Sequence, residues 1–287
     1  MAFCAEGRVQ AMSRQLRQRW GCTSKRALAL LVMLALFTGS AAALFLPQRT
    51  EGGLKKKNGT VVDVGHADQG YVYAMHKASK KRLKLRIAAN GETYTYDLNQ
   101  NGEFELFPLQ LGSGRYKVSV YEQIKDTQYA SISSISFDAA IEDENLPYLY
   151  PSQYVLFDEN SEAVAMSYAL CEGLESDEAK MQAVERFVGT QFMYDYLKSV
   201  TVQSATSYLP DVDETLRKKQ GICFDFAALV ACMLRAQGIP TQLVIGYADS
   251  AYHAWNRVLI DGDWRLVDTT AKITNTTVRK YTAQRHY

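Results

Sequence analysis

The stretch Gln220–Phe226 constrains the fold most, because it places a single cysteine at the start of a helix. Apolar residues from Phe226 onward recur at positions i, i+3, i+4, i+7 and i+8, which predicts a helix with one buried face. Gly221 permits a tight turn before this helix, and Gly238 ends it. The sequence therefore predicts that Cys223 lies at or near the first helical turn.

Cys223 is the residue of this stretch that can carry chemistry. The unpaired N–H groups and the dipole of a helix N-terminus favour an anion, and a thiolate is one. A helix N-terminus and a nearby histidine can lower a cysteine pKa from about 8.5 into the range ~3.5–7.5. A lone cysteine beside a helix is most often a small buried side chain, which is how we interpret Cys171 and Cys232. A catalytic role for Cys223 therefore needs partners elsewhere in the chain.

A β-hairpin downstream of this helix predicts those partners. The run that begins at His253 alternates like a strand, Asp261-Gly262 is a strong signal for a two-residue turn, and a returning strand ends at Asp268. With that turn, Trp255 faces Asp268, and His253 lies on the same sheet face as the diagonal neighbour of Asp268. A three-residue loop would move Asp268 to the opposite face. The pairing of histidine and carboxylate therefore depends on an even-length turn.

Three motifs occur in the order cysteine, histidine, aspartate. They are Gly221-Ile222-Cys223-Phe224-Asp225-Phe226-Ala227, His253-Ala254-Trp255 and Asp263-Trp264-Arg265-Leu266-Val267-Asp268-Thr269-Thr270. Over roughly residues 148–270 the chain resembles the bacterial transglutaminase-like family. The resemblance implies a papain-like α+β domain, in which the helix bearing the cysteine packs on an antiparallel sheet. It also implies that Cys223 is the nucleophile, that His253 is the general base and acid, and that Asp268 orients His253.

The same resemblance implies a residue upstream of the cysteine that completes an oxyanion hole with the amide of the cysteine. Gln191, Tyr194 and Gln203 are candidates for it. Family members often have proline after the aspartate, whereas this chain has Thr269. That departure leaves the three catalytic residue types in place.

The N-terminal part of the sequence predicts a membrane-directed segment. Residues 1–26 contain six basic residues against the single acid Glu6, and Ala27–Leu46 then runs for about one membrane thickness without a charge. A signal anchor and a cleavable signal peptide both fit, and the resumed apolar run at Leu44–Leu46 favours the anchor. We expect a single-pass membrane protein with its C-terminal domains outside the cytoplasm, or a secreted protein if the segment is cleaved.

The remaining chain divides into three predicted segments. Residues 47–59 are polar and include Lys55-Lys56-Lys57, which predicts a solvated linker. Residues 60–141 contain short alternating runs separated by turn signals, which predicts a small all-β sandwich-like domain. Residues 145–287 carry helical patterns and then the motifs, so they form the predicted transglutaminase-like domain, with a loop at residues 197–208 and a polar, basic tail after Thr270.

Composition excludes several other function classes. The net charge of +1 gives no support for nucleic-acid binding. The five cysteines do not suggest a disulfide scaffold, because Cys4 and Cys22 lie on the predicted cytoplasmic side of the membrane. The sequence shows no metal-ligand spacing or calcium loop, so we expect no metal and no cofactor.

These patterns predict an extracytoplasmic cysteine enzyme that acts on amide bonds of a protein or peptide substrate, such as a cell-wall peptide. Transfer of the acyl group to water would make it a peptidase or amidase, and transfer to an amine would make it a cross-linking enzyme. The alternative hypothesis is a membrane-tethered binding or cell-wall interaction protein that uses the same fold as a scaffold, because fold alone does not establish activity.

Overall fold

The computed structural model describes residues 44–203 and 208–287, which belong to one compact unit. The predicted basic segment 1–26 and nearly all of the predicted membrane segment 27–46 lie outside the described residues. No helix within the described ranges is both long enough and apolar enough to cross a membrane.

The first part of the described chain folds into two four-stranded antiparallel sheets. The first sheet consists of β1 (Leu54–Lys57), β2 (Thr60–Asp63), β3 (Tyr71–His76) and β6 (Glu105–Pro108), in the order β1-β2-β3-β6. The second sheet consists of β4 (Leu83–Ala89), β5 (Glu92–Leu98), β7 (Gly114–Lys125) and β8 (Gln128–Ala139), in the order β5-β4-β7-β8. Buried side chains of both sheets, including Val72 and Leu85, belong to one core. This arrangement agrees with the all-β sandwich-like region predicted from the alternating runs.

The predicted linker at residues 47–59 is wrong in its second half. Leu54–Lys57 forms β1 and pairs with Thr60–Asp63 across a two-residue turn, in which Asn58 and Gly59 have φ values of 49° and 80°. The three lysines are exposed on this strand. An edge strand has only one neighbour and keeps much of its surface in solvent, so a run of lysines is compatible with it and even blocks further pairing.

The second part of the chain is a set of helices around a third antiparallel sheet. The helices are α1 (Glu162–Cys171), α2 (Asp177–Gln191), α3 (Tyr196–Gln203), α4 (Val212–Lys218), α5 (Cys223–Ala236) and α6 (Thr269–Thr274). The sheet has the order β13-β12-β11-β14, from β13 (Asp263–Val267), β12 (Ala251–Ile260), β11 (Thr241–Ala248) and β14 (Tyr281–His286). A short parallel pair joins β9 (Met193–Tyr194) to β10 (Gln220–Gly221). The mixture of helices and antiparallel sheets is the predicted α+β class.

Helix α5 is the central element of this region, as its apolar pattern predicts. Every residue from Asp225 to Ala236 is buried, and the helix contacts both β11 and β12. Asn256 of β12 forms a hydrogen bond between the sheet and the helix, in which its side-chain amide donates to the carbonyl of Ala227 at 2.9 Å. This packing holds the N-terminus of α5, and with it Cys223, at a fixed place beside the sheet.

Arg235 is buried within α5, and its guanidinium binds main-chain oxygen atoms. Its guanidinium donates to the carbonyl oxygens of Thr241, Tyr150 and Tyr287 at distances of 2.7 to 3.0 Å. Burial lowers the pKa of Arg235 to about 10, so the side chain still carries its charge at neutral pH. The Arg235 side chain thus contacts three segments, which are the strand β11, the segment before α1 and the residue Tyr287 after β14.

The hairpin between β12 and β13 has the two-residue turn that the sequence predicts. Asp261 and Gly262 have φ values of 52° and 84°, and Ile260 pairs with Asp263. Two residues with positive φ match the type I′ turn, whose twist suits a hairpin. The even register follows, and it places His253 and Asp268 as the sequence analysis expects.

Two other segments differ from their predictions. Residues 197–208, predicted as a loop, contain most of helix α3 (Tyr196–Gln203). The predicted polar tail after Thr270 contains most of α6 and the strand β14, which pairs with β11, and Tyr287 is buried. The strand β14 lies at a sheet edge, with half of its residues exposed and none fully buried, so it shows little of the hydrophobic alternation by which strands are recognised.

The β region and the helical region are packed together through β5. The hydroxyl of Tyr94 donates to the carbonyl of His286 at 3.0 Å, and its ring contacts that of Tyr287 edge-on at 5.1 Å. The side chain of Gln153 bonds both the N–H and the carbonyl of Asp97, at 3.1 and 2.8 Å. The C-terminal strand therefore has the β region on one side and the cysteine-bearing helix domain on the other.

Candidate active site

Cys223 is the first residue of α5 and is partly exposed. The helix start is stabilised by Asp225, whose carboxylate accepts the N–H of Ile222 at 2.9 Å. The first intrahelical bond is donated by the N–H of Phe226 to the carbonyl of Ile222. The N–H of Cys223 therefore has no partner within the helix, so this terminus presents a donor and a positive dipole end next to the thiol.

His253 and Asp268 form a buried pair. Nε2 of His253 lies 2.9 Å from Oδ2 of Asp268, and the two side chains are 13% and 4% exposed. Burial by itself would lower the pKa of His253, but the hydrogen bond to Asp268 and the interaction with Cys223 outweigh it and raise the pKa to about 9. Burial would likewise raise the pKa of Asp268, yet its hydrogen bonds and the charge of His253 hold that pKa below its usual range.

Cys223 lies close enough to the same imidazole to contribute to the raised pKa of His253. Because Nε2 is engaged by Asp268, Nδ1 is the ring nitrogen left for the sulfur. The structure thus pairs His253 with Asp268 and places Cys223 near the same imidazole.

Asp268 has two further donors. Its Oδ1 accepts the backbone N–H of Ala271 at 3.0 Å and so caps α6, and its Oδ2 accepts the hydroxyl of Tyr281 at 2.8 Å. Sequence reasoning missed Tyr281, because this residue lies in β14, which carries little periodic signal. Its partner is known only once β14 is paired with β11, which sets Tyr281 opposite Ala248.

A second buried carboxylate, that of Asp225, lies in the first turn of α5, two residues after Cys223. Asp225 has no solvent exposure, and besides the N–H of Ile222 it binds the hydroxyl of Tyr208 and the ammonium of Lys198, the latter at 2.8 Å. Lys198 belongs to α3, so this ion pair joins α3 to the start of α5. A Cβ atom at Gly221 would lie 2.9 Å from the Cβ of Asp225, which explains the glycine at this position.

The three candidates for the oxyanion hole lie in different surroundings. The side-chain oxygen of Gln191 accepts from Lys219 at 3.3 Å, and the side chain of Gln203 is outside the described residues. Burial and the nearby Cys223 raise the pKa of Tyr194. Tyr194 also pairs with Gly221 in the β9–β10 pair, so the structure places this candidate close to the start of α5.

A cavity of about 480 Å³ opens beside the histidine. Its lining includes His253, Asp268, Tyr194, Tyr196 and Thr270. The cavity is large enough for a peptide side chain or a small amine next to the imidazole. In the described part of the chain, no group of three or more His, Cys, Asp or Glu side chains is placed to hold a metal ion.

Comparison with known families assigns this region. Residues 164–269 match the family model of the transglutaminase-like superfamily, a segment that includes Cys223, His253 and Asp268. This part of the chain belongs to the transglutaminase-like superfamily. The transglutaminase-like domain so defined ends before β14, so Tyr281 lies outside the matched segment. Members of this superfamily are typically cysteine proteases or acyltransferases.

Solved structures similar to the chain are distant from it. A candidate cysteine protease from Cytophaga hutchinsonii is 17% identical, with 73% of this chain and 75% of that chain covered and a TM-score of 0.41. The periplasmic domain of TgpA from Pseudomonas aeruginosa is 15% identical, with 80% and 77% covered and a TM-score of 0.37. Red sea bream transglutaminase is 14% identical, with 70% and 48% covered and a TM-score of 0.27. Because all three scores are below 0.5, the family assignment rests on the matched segment. No curated protein matches the chain.

Proposed function

We propose that this protein is a cysteine enzyme that acts on amide bonds, with Cys223 as nucleophile, His253 as proton donor and acceptor, and Asp268 as the group that orients His253. The observation that carries the proposal is the buried pair of His253 and Asp268, together with Cys223 at the start of α5. Asp268 lies 2.9 Å from Nε2, and Cys223 is near enough to contribute to the raised pKa of the same ring. This constellation is the one that activates a nucleophile through a base held by a third group.

The charge state of His253 decides how the reaction begins. Because the pKa of His253 is about 9, the ring is an imidazolium at neutral pH and is ready to give up a proton. The thiolate sulfur attacks the amide carbonyl carbon and forms a tetrahedral oxyanion, which faces the free N–H groups at the start of α5. The bond from carbon to nitrogen then breaks, and the imidazolium proton passes to the leaving amine. The products of this half-reaction are a thioester on Cys223 and a neutral imidazole.

The second half-reaction returns the enzyme to its starting state. The neutral imidazole takes a proton from water or from a second amine, which attacks the thioester carbon. The bond from carbon to sulfur breaks, so that the thiolate and the imidazolium form again. Water as acceptor gives hydrolysis and an amine gives transamidation, and both use the same residues. We propose a protein or peptide substrate, such as a cell-wall peptide, because the cavity beside His253 is open to solvent and of side-chain size.

We also propose that the reaction takes place outside the cytoplasmic membrane. The support is the sequence of the N-terminal segment, where a basic stretch precedes the apolar run Ala27–Leu46. The proposed form is a single-pass membrane protein, and cleavage of the segment would give a secreted protein with the same domains.

The first test measures the reactivity of the thiol. The full chain is treated with iodoacetamide at neutral pH, and the labelling of Cys223 is followed by peptide mass spectrometry, with Cys232 as a buried internal control. We expect Cys223 to label much faster than Cys232, since burial raises the pKa of Cys232 far above its usual value. His253→Ala should slow the labelling of Cys223 by about tenfold or more, because the ion-pair partner is lost.

The second test looks for acyl transfer. A glutamine-containing protein is offered together with a fluorescent primary amine, and both incorporated amine and released fragments are measured for the wild type and Cys223→Ser. Activity that disappears in the variant supports the proposal. Equal labelling of Cys223 with and without His253, combined with no reaction in either assay, would contradict it and favour the scaffold alternative.

A further inference from the structure

Two donors share one oxygen atom of Asp268. Tyr281 donates its phenolic hydrogen to Oδ2 at 2.8 Å, and Nε2 of His253 lies 2.9 Å from the same atom. The other oxygen, Oδ1, accepts the backbone N–H of Ala271 at 3.0 Å. The carboxylate is therefore held at both oxygens, and the oxygen that faces the histidine is the one that the tyrosine also binds.

The position of Tyr281 is set by the same sheet that carries the histidine. Its backbone pairs with Ala248 of β11, and its ring packs against Trp255 with 5.1 Å between the ring centroids. Trp255 in turn stacks on His253, with 6.1 Å between centroids and 19° between the ring planes. Trp255 thus links the two rings whose polar atoms meet on Asp268.

We propose that Tyr281 is a positioning residue of the proposed active site, whose hydroxyl binds Oδ2 of Asp268 and so limits the negative charge that this oxygen offers to the imidazole. The inference rests on the proposed function for its catalytic meaning, although the interaction itself can be measured without a substrate. Nothing in the matched family segment supplies this group, because Tyr281 lies beyond its end at residue 269.

The physical consequence concerns the strength of His253 as an acid. A hydrogen bond donated to a carboxylate stabilises the anion and lowers its affinity for protons, and Tyr281 has this effect on Asp268. Two donors on one oxygen compete for its charge, so the phenol weakens the hold of Asp268 on the imidazolium proton. Without the phenol, His253 would bind its proton more tightly and would release it less readily to a leaving amine.

Other groups that face His253 must stay unchanged if the effect is to be assigned to Tyr281. They include Cys223 at the start of α5 and Asp268 before α6, and also Tyr194, Tyr196 and Asp249, which line the same cavity as His253. A change of Tyr281 to phenylalanine keeps the ring against Trp255 and substitutes none of these side chains, and its direct effect is the loss of the hydrogen bond to Asp268. The variant therefore removes one hydrogen-bond donor and little else.

The experiment is an NMR titration of the full chain labelled with ¹³C in its histidine rings. The chain has four histidines, so each signal can be followed, and His253→Asn assigns the one of interest. Tyr281→Phe should raise the midpoint of His253 by about 0.5–1 pH unit above the wild-type value, because one donor to Oδ2 is lost. Tyr247→Phe is the matched control on the neighbouring strand β11. Its ring packs on Tyr252 near the surface, so the His253 midpoint should not move.

Two outcomes would overturn the inference. An unchanged midpoint in Tyr281→Phe would show that the phenol does not share the charge of Oδ2. A midpoint that falls toward 6.5 would show that Tyr281 serves only to keep the pair folded. Iodoacetamide labelling of Cys223 in the wild type tests the proposed function separately. An unreactive thiol would contradict the acyl-transfer proposal, whereas the His253 midpoint would still show whether Tyr281 limits the charge of Oδ2.

Discussion

Replacement of Asp268 by asparagine should change how the stability of this protein depends on pH. The substitution removes the negative charge beside His253 but keeps a side-chain oxygen that can accept the N–H of Ala271, so the cap of α6 is retained. The variant therefore isolates the charge of Asp268 from its structural role at the helix start.

The magnitude follows from the pKa of His253. Its value of about 9 in the folded protein compares with 6.5 as the usual value, and one unit corresponds to about 1.4 kcal/mol, which makes a contribution of about 3 kcal/mol to the free energy of unfolding. The folded-state pKa is the higher one, so this contribution is complete below pH 6.5 and is lost as the pH rises through about 9. The pKa of Asp268 is lowered, so its own titration affects stability only in acid, below its usual value of 3.8.

The assay is equilibrium unfolding in guanidinium chloride at pH 6, 7.5, 9 and 10, followed by tryptophan fluorescence. Other groups titrate in this range in every variant, so the comparison is between variants. From pH 6 to pH 10, the free energy of unfolding should fall by about 3 kcal/mol more in the wild type than in Asp268→Asn. The difference is smaller by the share of the raised His253 pKa that is due to Cys223. Asp211→Asn is the matched control, because Asp211 also caps a helix, α4, by accepting the N–H of Glu214 at 2.8 Å, without a histidine partner. Equal pH dependence in the wild type and Asp268→Asn would refute the reasoning.

Two further predictions concern buried charges away from the reacting atoms. Arg235→Met should lower the free energy of unfolding by about 3–5 kcal/mol, because it leaves three buried main-chain oxygens without their donor. Chemical denaturation measures the loss. A loss below about 1 kcal/mol would mean that water replaces the guanidinium. Lys198→Met should cost about 1–3 kcal/mol, since the buried carboxylate of Asp225 loses its cation and Lys198 is only 27% exposed. Lys218→Met removes an exposed partner of Glu214 and is the control; an equal effect of both lysine variants would contradict the argument.

The hairpin shows how far local sequence can determine a site. Asp261-Gly262 specifies a two-residue turn, because aspartate and glycine tolerate the positive φ values that a type I′ turn requires. That turn determines the register, and the register determines which side of the sheet His253 and Asp268 share. The apolar periodicity after Cys223 determines in the same way that the cysteine starts a buried helix. Each of these inferences needs only residues that are close together in the chain.

The lysine run and the C-terminal strand show where local sequence fails. Lys55, Lys56 and Lys57 suggest a solvated tether, yet they form an edge strand, because a strand with one neighbour can keep its side chains in water. Residues 281–286 have no clear alternation for the same reason. At a sheet edge the backbone pairing stabilises the strand, and backbone pairing is almost independent of side-chain identity.

The sequence alone determined the α+β class, the all-β region, the cysteine at the helix start and the pairing of His253 with Asp268. Only the tertiary structure decided that Tyr281 binds Asp268, that Lys198 and Tyr208 bind Asp225, and that Arg235 binds carbonyls from three segments. The physical reason is that periodicity and turn chemistry are local, whereas the partner of a buried polar group is whichever group the packed chain brings within about 3 Å. The sequence motifs therefore predict a candidate nucleophile and its histidine, whereas the polar groups that contact Asp268 and Asp225 are known only from the packing of distant strands and helices.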